Sequence, residues 1–207
     1  MPDVKVVKPS VENVIGLDYK SDGLFMDSNG HIEDMPHFYR EAQGKRTRLQ
    51  RRLSKKQGFR KGESKSRNFM KQLHKVNKQS KHIANQRRDY LHKLSTEIAN
   101  QYDAVCIEDL NMKAMSNKKF GNGKATMDNG WGMFINMLSY KLTERGKQLV
   151  VVDKWYPSSK ICHCCGHRQP MPLKIRVYQC PECGMVFDLD WNAAINIKME
   201  GLRLLSA

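Results

Sequence analysis

Two Cys-x-x-Cys pairs constrain this chain more than any other feature. Cys162 and Cys165 form one pair and Cys180 and Cys183 the other, with 14 residues between them. Gly166 and Gly184 follow the second cysteine of each pair, where a glycine permits the tight turn that aims backbone amides at sulfur. Matched knuckles at this spacing predict a four-thiolate ribbon around one structural Zn²⁺. Cys164 breaks the pair spacing and is expected to be a non-ligand. His163 and His167 are expected to be exposed loop residues. Five of the six cysteines fall within 22 residues, a clustering that in a reducing compartment argues for metal rather than disulfides.

No apolar run approaches the ~18–20 residues of a membrane helix, and the opening M-P-D-V-K-V-V-K-P-S has no apolar signal core. The expectation is a cytoplasmic protein with no membrane partner. The net charge is +15, and it is concentrated. Between positions 40 and 93 stand 19 lysines and arginines against three acids, which leaves the rest of the chain close to neutral. So large an excess repels itself unless an anion meets it, and a nucleic-acid backbone is the natural anion. Arg51, Arg52, Lys55 and Lys56 are the candidate phosphate contacts.

Apolar patterning predicts short strands at 14–18, 24–26 and 31–33, with the Asp27-Ser28-Asn29-Gly30 turn between the last two. Two helices follow, at 36–56 and 69–101, separated by a loop at 58–68. In the second, Leu73, Val76, Ile83, Tyr90, Leu94 and Ile98 make a near-heptad stripe, so the pair reads as a basic helical hairpin. A strand at 103–109, a loop-like stretch at 112–126 and a helix to about Arg145, capped by Asp128-Asn129-Gly130, come next. A strand at 148–153, the cysteine region and a helix at 192–205 complete the chain. Without the hairpin and the cysteine insert the order is β-β-β-β-α-β-α, which fits an α/β, RNase H-like core. The divisions expected are core at 1–35, hairpin at 36–101, core at 102–158, zinc ribbon at 159–186 and core at 187–207.

Three acids stand out: Asp18, Glu108, and one of Asp188 or Asp190. The first two each end a short apolar strand. Two-metal phosphodiester hydrolysis needs hard oxygen ligands on both sides of the scissile phosphate, and three carboxylates converging from separate elements supply them.

These residues carry a resemblance. G-L-D-Y-K at 16–20, I-E-D-L-N-M at 107–112, D-N-G-W-G-M-F at 128–134, W-Y-P-S-S-K-x-C-x-x-C-G at 155–166, C-P-x-C-G at 180–184 and D-x-D-x-N-A-A-x-N-I at 188–197 resemble the TnpB (OrfB) proteins of insertion sequences, relatives of the type V CRISPR effectors. The resemblance implies a RuvC-like nuclease core split into three motifs, a zinc element before the third, and RNA-guided DNA cleavage. It implies Asp18, Glu108 and Asp190 as catalytic acids holding Mg²⁺ or Mn²⁺, with Asp188 as an accessory candidate. Zinc would then fix where Asp190 enters the site.

Members of that family carry a wedge-like barrel and a helical recognition domain before the first nuclease motif, whereas Asp18 here has 17 residues before it. The expectation is therefore a metal-dependent endodeoxyribonuclease, the catalytic half of a TnpB-like enzyme. Its partners would be DNA, a guide RNA and an N-terminal recognition region in a separate chain. The alternatives are a non-catalytic nucleic-acid-binding accessory of transposition and a guide-independent RNase H-like nuclease.

Overall fold

The computed structural model describes residues 11–57, 64–116, 123–172 and 174–207. The chain divides into two compact units, Pro36–Lys93 on one hand and the residues up to Met35 with Leu94–Ala207 on the other.

The larger unit is built on a five-stranded mixed sheet. Its strands are β1 (Val14–Tyr19), β2 (Phe25–Asp27), β3 (Ile32–Glu33), β4 (Ala104–Glu108) and β5 (Gln148–Val152), in the order β3-β2-β1-β4-β5. The first three are antiparallel, and β1, β4 and β5 run parallel. Val14, Gly16, Ala104, Cys106, Val150 and Val152 share one face by the two-residue period of a strand. Ile197, from the last helix, joins Val14, Ala104, Cys106, Val150 and Val152 in one buried cluster. That helix, α6 (Leu189–Leu205), lies so close that a Cβ on Gly16 would meet the Ala194 carbonyl, and one on Gly201 would meet the Cys106 sulfur. Cys106 is wholly buried, and burial pushes its thiol up to about 12, so it behaves as a small apolar side chain.

The opposite face carries Ile15, Leu17, Val105 and Ile107, all buried. Helix α5 (Trp131–Glu144) packs there, with Trp131 5.3 Å from the Tyr19 ring and Phe134 5.7 Å from Phe25. The smaller unit holds α1 (Phe38–Ser54), which buries no residue, and most of α2 (Arg67–Gln101). The expected α2 stripe is partly buried, at Val76, Ile83 and Ile98, with Gln72, Leu91, Ser95 and Ala99 buried as well. Among the described residues no helix is long and apolar enough to cross a membrane.

Three expectations need correction. The stretch at 112–126 contains α3 (Met112–Met115) and the start of α4 (Gly123–Asn129). Asn111 caps α3 by accepting from the Ala114 N–H at 3.0 Å. Residues 117–122 lie outside the described residues, as do 58–63 of the expected 58–68 loop, whose helix already begins at Arg67. Asp128 and Asn129 do not cap α5. They end α4 and are buried, and Gly130, with φ of 68°, makes the junction without a side-chain cap. Last, α6 begins at Leu189 rather than at 192, because Asp188 caps it, its Oδ1 accepting from the Trp191 N–H at 3.0 Å.

Candidate active site

In the parallel pair β1–β4, Leu17 stands opposite Ile107. The next residues, Asp18 and Glu108, therefore leave adjacent strands at the same end and on the same face, with backbones about 4.8 Å apart. By strand parity that is the face α6 covers, and Asp190 lies in the first turn of α6. The fold thus brings all three acids to one end of one face.

Their electrostatics record the convergence. The Asp18 carboxyl is held well above its ordinary value, first by burial, then by the charges of Glu108, Asp190 and Asp188, with Lys20 pulling the other way. Among the described residues no hydrogen bond or ion pair closes on the Asp18 carboxylate. Burial also raises Glu108, against a hydrogen bond donated by the Ser158 hydroxyl to its Oε1. Asp190 is met by Lys20 Nζ at 2.8 Å and more loosely by Arg176 at 3.8 Å. Burial works against the Lys20 charge, but its hydrogen bond to Asp190 and the charges of Asp190, Asp22 and Asp188 outweigh it and raise the ammonium. Asn129 pins the Lys20 segment, donating to the carbonyls of Lys20 at 3.2 Å and Ser21 at 3.0 Å. Asp188 is exposed and occupied as a helix cap.

The four sulfurs of Cys162, Cys165, Cys180 and Cys183 all lie within 4.8 Å of one another, a closeness that no other three or more His, Cys, Asp or Glu side chains reach among the described residues, the three acids included. Gly166 and Gly184 take φ of 78° and 71°, the left-handed conformation each knuckle turn requires. The Cys180 thiol is pulled down to about 6, chiefly by the Cys183 amide and also by that of Glu182. At Cys165 the His167 amide works to lower the thiol, but burial and the hydrogen bonds shared with Cys180, Cys183 and Cys162 push it up to about 12. A cluster that already favours a thiolate and leaves the remaining protons shared fits a thiophilic cation such as zinc. Cys164 is exposed and stands outside the set.

The ribbon strands β6 (Val177–Gln179) and β7 (Val186–Asp188) pair antiparallel, and β7 runs directly into α6. Two residues quoted in the 188–197 motif but given no role by the sequence reading bind this ribbon to the acids. Asn192 Nδ2 donates to the Ile161 carbonyl at 2.8 Å, and its Oδ1 accepts from the His163 N–H at 3.1 Å. Asn196 Nδ2 donates to the Ser158 and Ile161 carbonyls, both at 2.7 Å. Both asparagines are buried. His163 is therefore not a free loop residue, since its ring also packs 4.7 Å from Phe187. The asparagines four apart on one helix face were the available signal. Arg51, Arg52, Lys55 and Lys56 all lie exposed on or just after α1, in the smaller unit.

Comparison with known proteins finds relatives of this chain. The family described as "Probable transposase" (OrfB_IS605) matches residues 3–119, and the "Cas12f1-like, TNB domain" matches 131–197. A "Putative RNA-guided DNA endonuclease" of Streptomyces pristinaespiralis is 37% identical over 94% of this chain and 46% of its own length. "Putative RNA-guided DNA endonuclease InsQ" of Escherichia coli K12 is 33% identical over 97% of this chain and 52% of its own. The chain thus spans about half the length of these curated relatives. In a solved Cas12f1–sgRNA–target DNA complex, one chain superimposes with a TM-score of 0.59 at 18% identity, over 92% of this chain and 50% of that one. At that identity the likeness is one of fold.

Proposed function

The chain belongs to the OrfB (TnpB) family, and from that premise we propose that it carries the strand-cleaving part of an RNA-guided DNA endonuclease on a RuvC, RNase H-like core. The observation that carries the reading is the meeting of Asp18, Glu108 and Asp190, from β1, β4 and α6, at one end of one sheet face. The sheet order, three antiparallel strands and then two parallel ones, supports the core assignment.

The donor set fits divalent cations. It consists of hard carboxylate oxygens, one of which, on Asp18, is part-buried and raised with no counter-charge closed on it. Mg²⁺ or Mn²⁺ held there would supply an activated water and charge stabilisation at the leaving oxygen. The residues of the chain do the positioning. Adjacent strands hold Asp18 and Glu108 at fixed separation. Ser158 orients Glu108, Asn196 holds the Ser158 backbone, and Lys20 and Arg176 hold Asp190. Zn²⁺ in the four-thiolate cluster is structural in this reading, fixing β7, which ends two residues before Asp190, and so the start of α6. Domain boundaries follow the same logic: a nuclease core interrupted by the basic helices at 36–101 and by the ribbon at 159–186. The basic helices supply sequence-independent affinity for DNA and guide RNA.

The test is cleavage of labelled single- and double-stranded DNA in Mg²⁺, in Mn²⁺ and after chelation, with and without co-expressed RNA. Metal-dependent nicking that Asp18→Ala abolishes is expected. Cleavage by Asp18→Ala at the full rate would sink the assignment. Tight binding with no cleavage under any condition would favour the second reading, an accessory nucleic-acid-binding protein of transposition, which rests on the exposed basic residues of α1.

A further inference from the structure

Trp155 is the most exposed large apolar side chain among those described, at 79%. The other two tryptophans are packed. Trp131 lies against Tyr19, Phe25 and Phe134, and Trp191 packs tilted against Phe187 at 4.2 Å with its Nε1 donating to the Ser28 carbonyl. Among the described residues Trp155 has no ring partner of this kind, yet its turn is well tied. Its N–H donates to Asp153 Oδ1 at 2.7 Å, and the Tyr156 N–H donates to the Asp153 carbonyl at 2.9 Å. The Lys154 ammonium lies 5.2 Å from the ring centroid. Three residues on, Ser158 donates to Glu108, and three residues of chain reach at most about 10 Å.

A held, uncovered indole with a cation on its face, one short turn from the acids, is arranged for a flat ligand carrying negative charge. Asp153 and Lys154 beside it are exposed and charged, whereas an indole at the centre of a protein contact is ringed by apolar neighbours. We propose that Trp155 is a stacking platform for a nucleobase of the DNA strand led to the acids, with Lys154 meeting an adjoining phosphate. The inference rests on the nuclease reading. Stacking of this kind is sequence-tolerant, because every base has a π-face, as a guide-directed cutter requires of its cleavage site.

The test separates base from phosphate. The full chain, with its zinc in place but without added Mg²⁺ or Mn²⁺ so that the strand survives, is titrated with single-stranded oligothymidylate and with an abasic oligonucleotide of equal length and charge. Tryptophan emission and affinity are recorded together. Wild type should bind the base-bearing strand more tightly, with quenching of the exposed indole. Trp155→Ala should lose on the order of tenfold of that preference while binding the abasic strand as before, and Trp155→Phe, which keeps a π-face, should retain most of it. An unchanged preference in Trp155→Ala overturns the platform and leaves the nuclease reading intact. So does an unchanged preference combined with abolished self-association in sedimentation, which would make the indole a protein contact. Failure of wild type to bind either strand overturns the nuclease reading and this inference with it.

Discussion

Asp188 and Asp190 are the same residue type two positions apart, and the fold gives them different work. Asp188 closes the N-terminus of α6, while Asp190 faces Lys20 and the acids of β1 and β4. Asp188→Ala should cost about 1 kcal/mol of stability, as removal of a helix cap does, and leave most of the cleavage rate. Asp188→Asn should restore the cap. Asp190→Ala should abolish cleavage and, because it leaves the part-buried Lys20 without its 2.8 Å partner, also cost some stability. Melting curves beside cleavage rates for the three variants check this, and the reverse pattern would exchange the roles. Asp18 adds a pH dependence. Its pKa is higher folded than unfolded, so between the ordinary value of 3.8 and the raised one the folded state binds more proton. The zinc-loaded protein without Mg²⁺ or Mn²⁺ therefore loses stability as pH rises through that window, and the cost persists above it. Asp18→Asn should melt higher than wild type near neutral pH without Mg²⁺ or Mn²⁺, converge with it in acid, and not cleave. A lower melting point for Asp18→Asn near neutral pH would mean that this carboxylate supports the fold instead of straining it.

The ribbon and the basic helices make separate demands. In the ribbon, β7 delivers the chain to α6, and Asn192 and Asn196 tie α6 back to the segment before the first knuckle. The stability of such an element is largely metal-binding free energy. Elemental analysis should find one zinc per wild-type chain, and Cys180→Ser should lose it, lower the melting temperature and slow cleavage although no catalytic acid has changed. Full zinc content and an unchanged melt would refute the ligand set. At the end of α1, neutralising Arg51, Arg52, Lys55 and Lys56 should weaken binding to all sequences alike. On single-stranded DNA the salt dependence of affinity should flatten by about 0.7 in log–log slope for each phosphate that is no longer neutralised. An unchanged slope would leave these residues as a solvated face.

Across the larger unit, the beginning and the end of the chain build one layer, because α6 lies directly on β1. Nothing larger than hydrogen fits at Gly16 against the Ala194 carbonyl. Gly16→Ala should therefore destabilise by about 1–3 kcal/mol, the usual cost of overpacking, and should also disturb cleavage through Asp18 two residues on. Gly44, in α1 with open space around it, is the control: Gly44→Ala should be neutral or stabilising by about 0.5–1 kcal/mol. Equal effects at both positions in thermal melts would mean that the close approach of β1 and α6 does not matter. What could be read along the chain was whatever has a local cause. Cysteine and glycine spacing marked the thiolate cluster, two-residue alternation marked the strands, and the acids at strand ends marked one end of the sheet. The start of α6 was misplaced because Asp188 was weighed as a metal ligand rather than as a cap, and a cap is recognised only with its helix. The pairing of Leu17 with Ile107, the Lys20–Asp190 ion pair across 170 residues and the asparagine hooks on the Ser158 segment have no local signature. Each is a contact between distant segments whose energy exists only once the sheet is assembled. The residue types of a site can be written locally, but their distances are set by how β1, β4 and α6 pack.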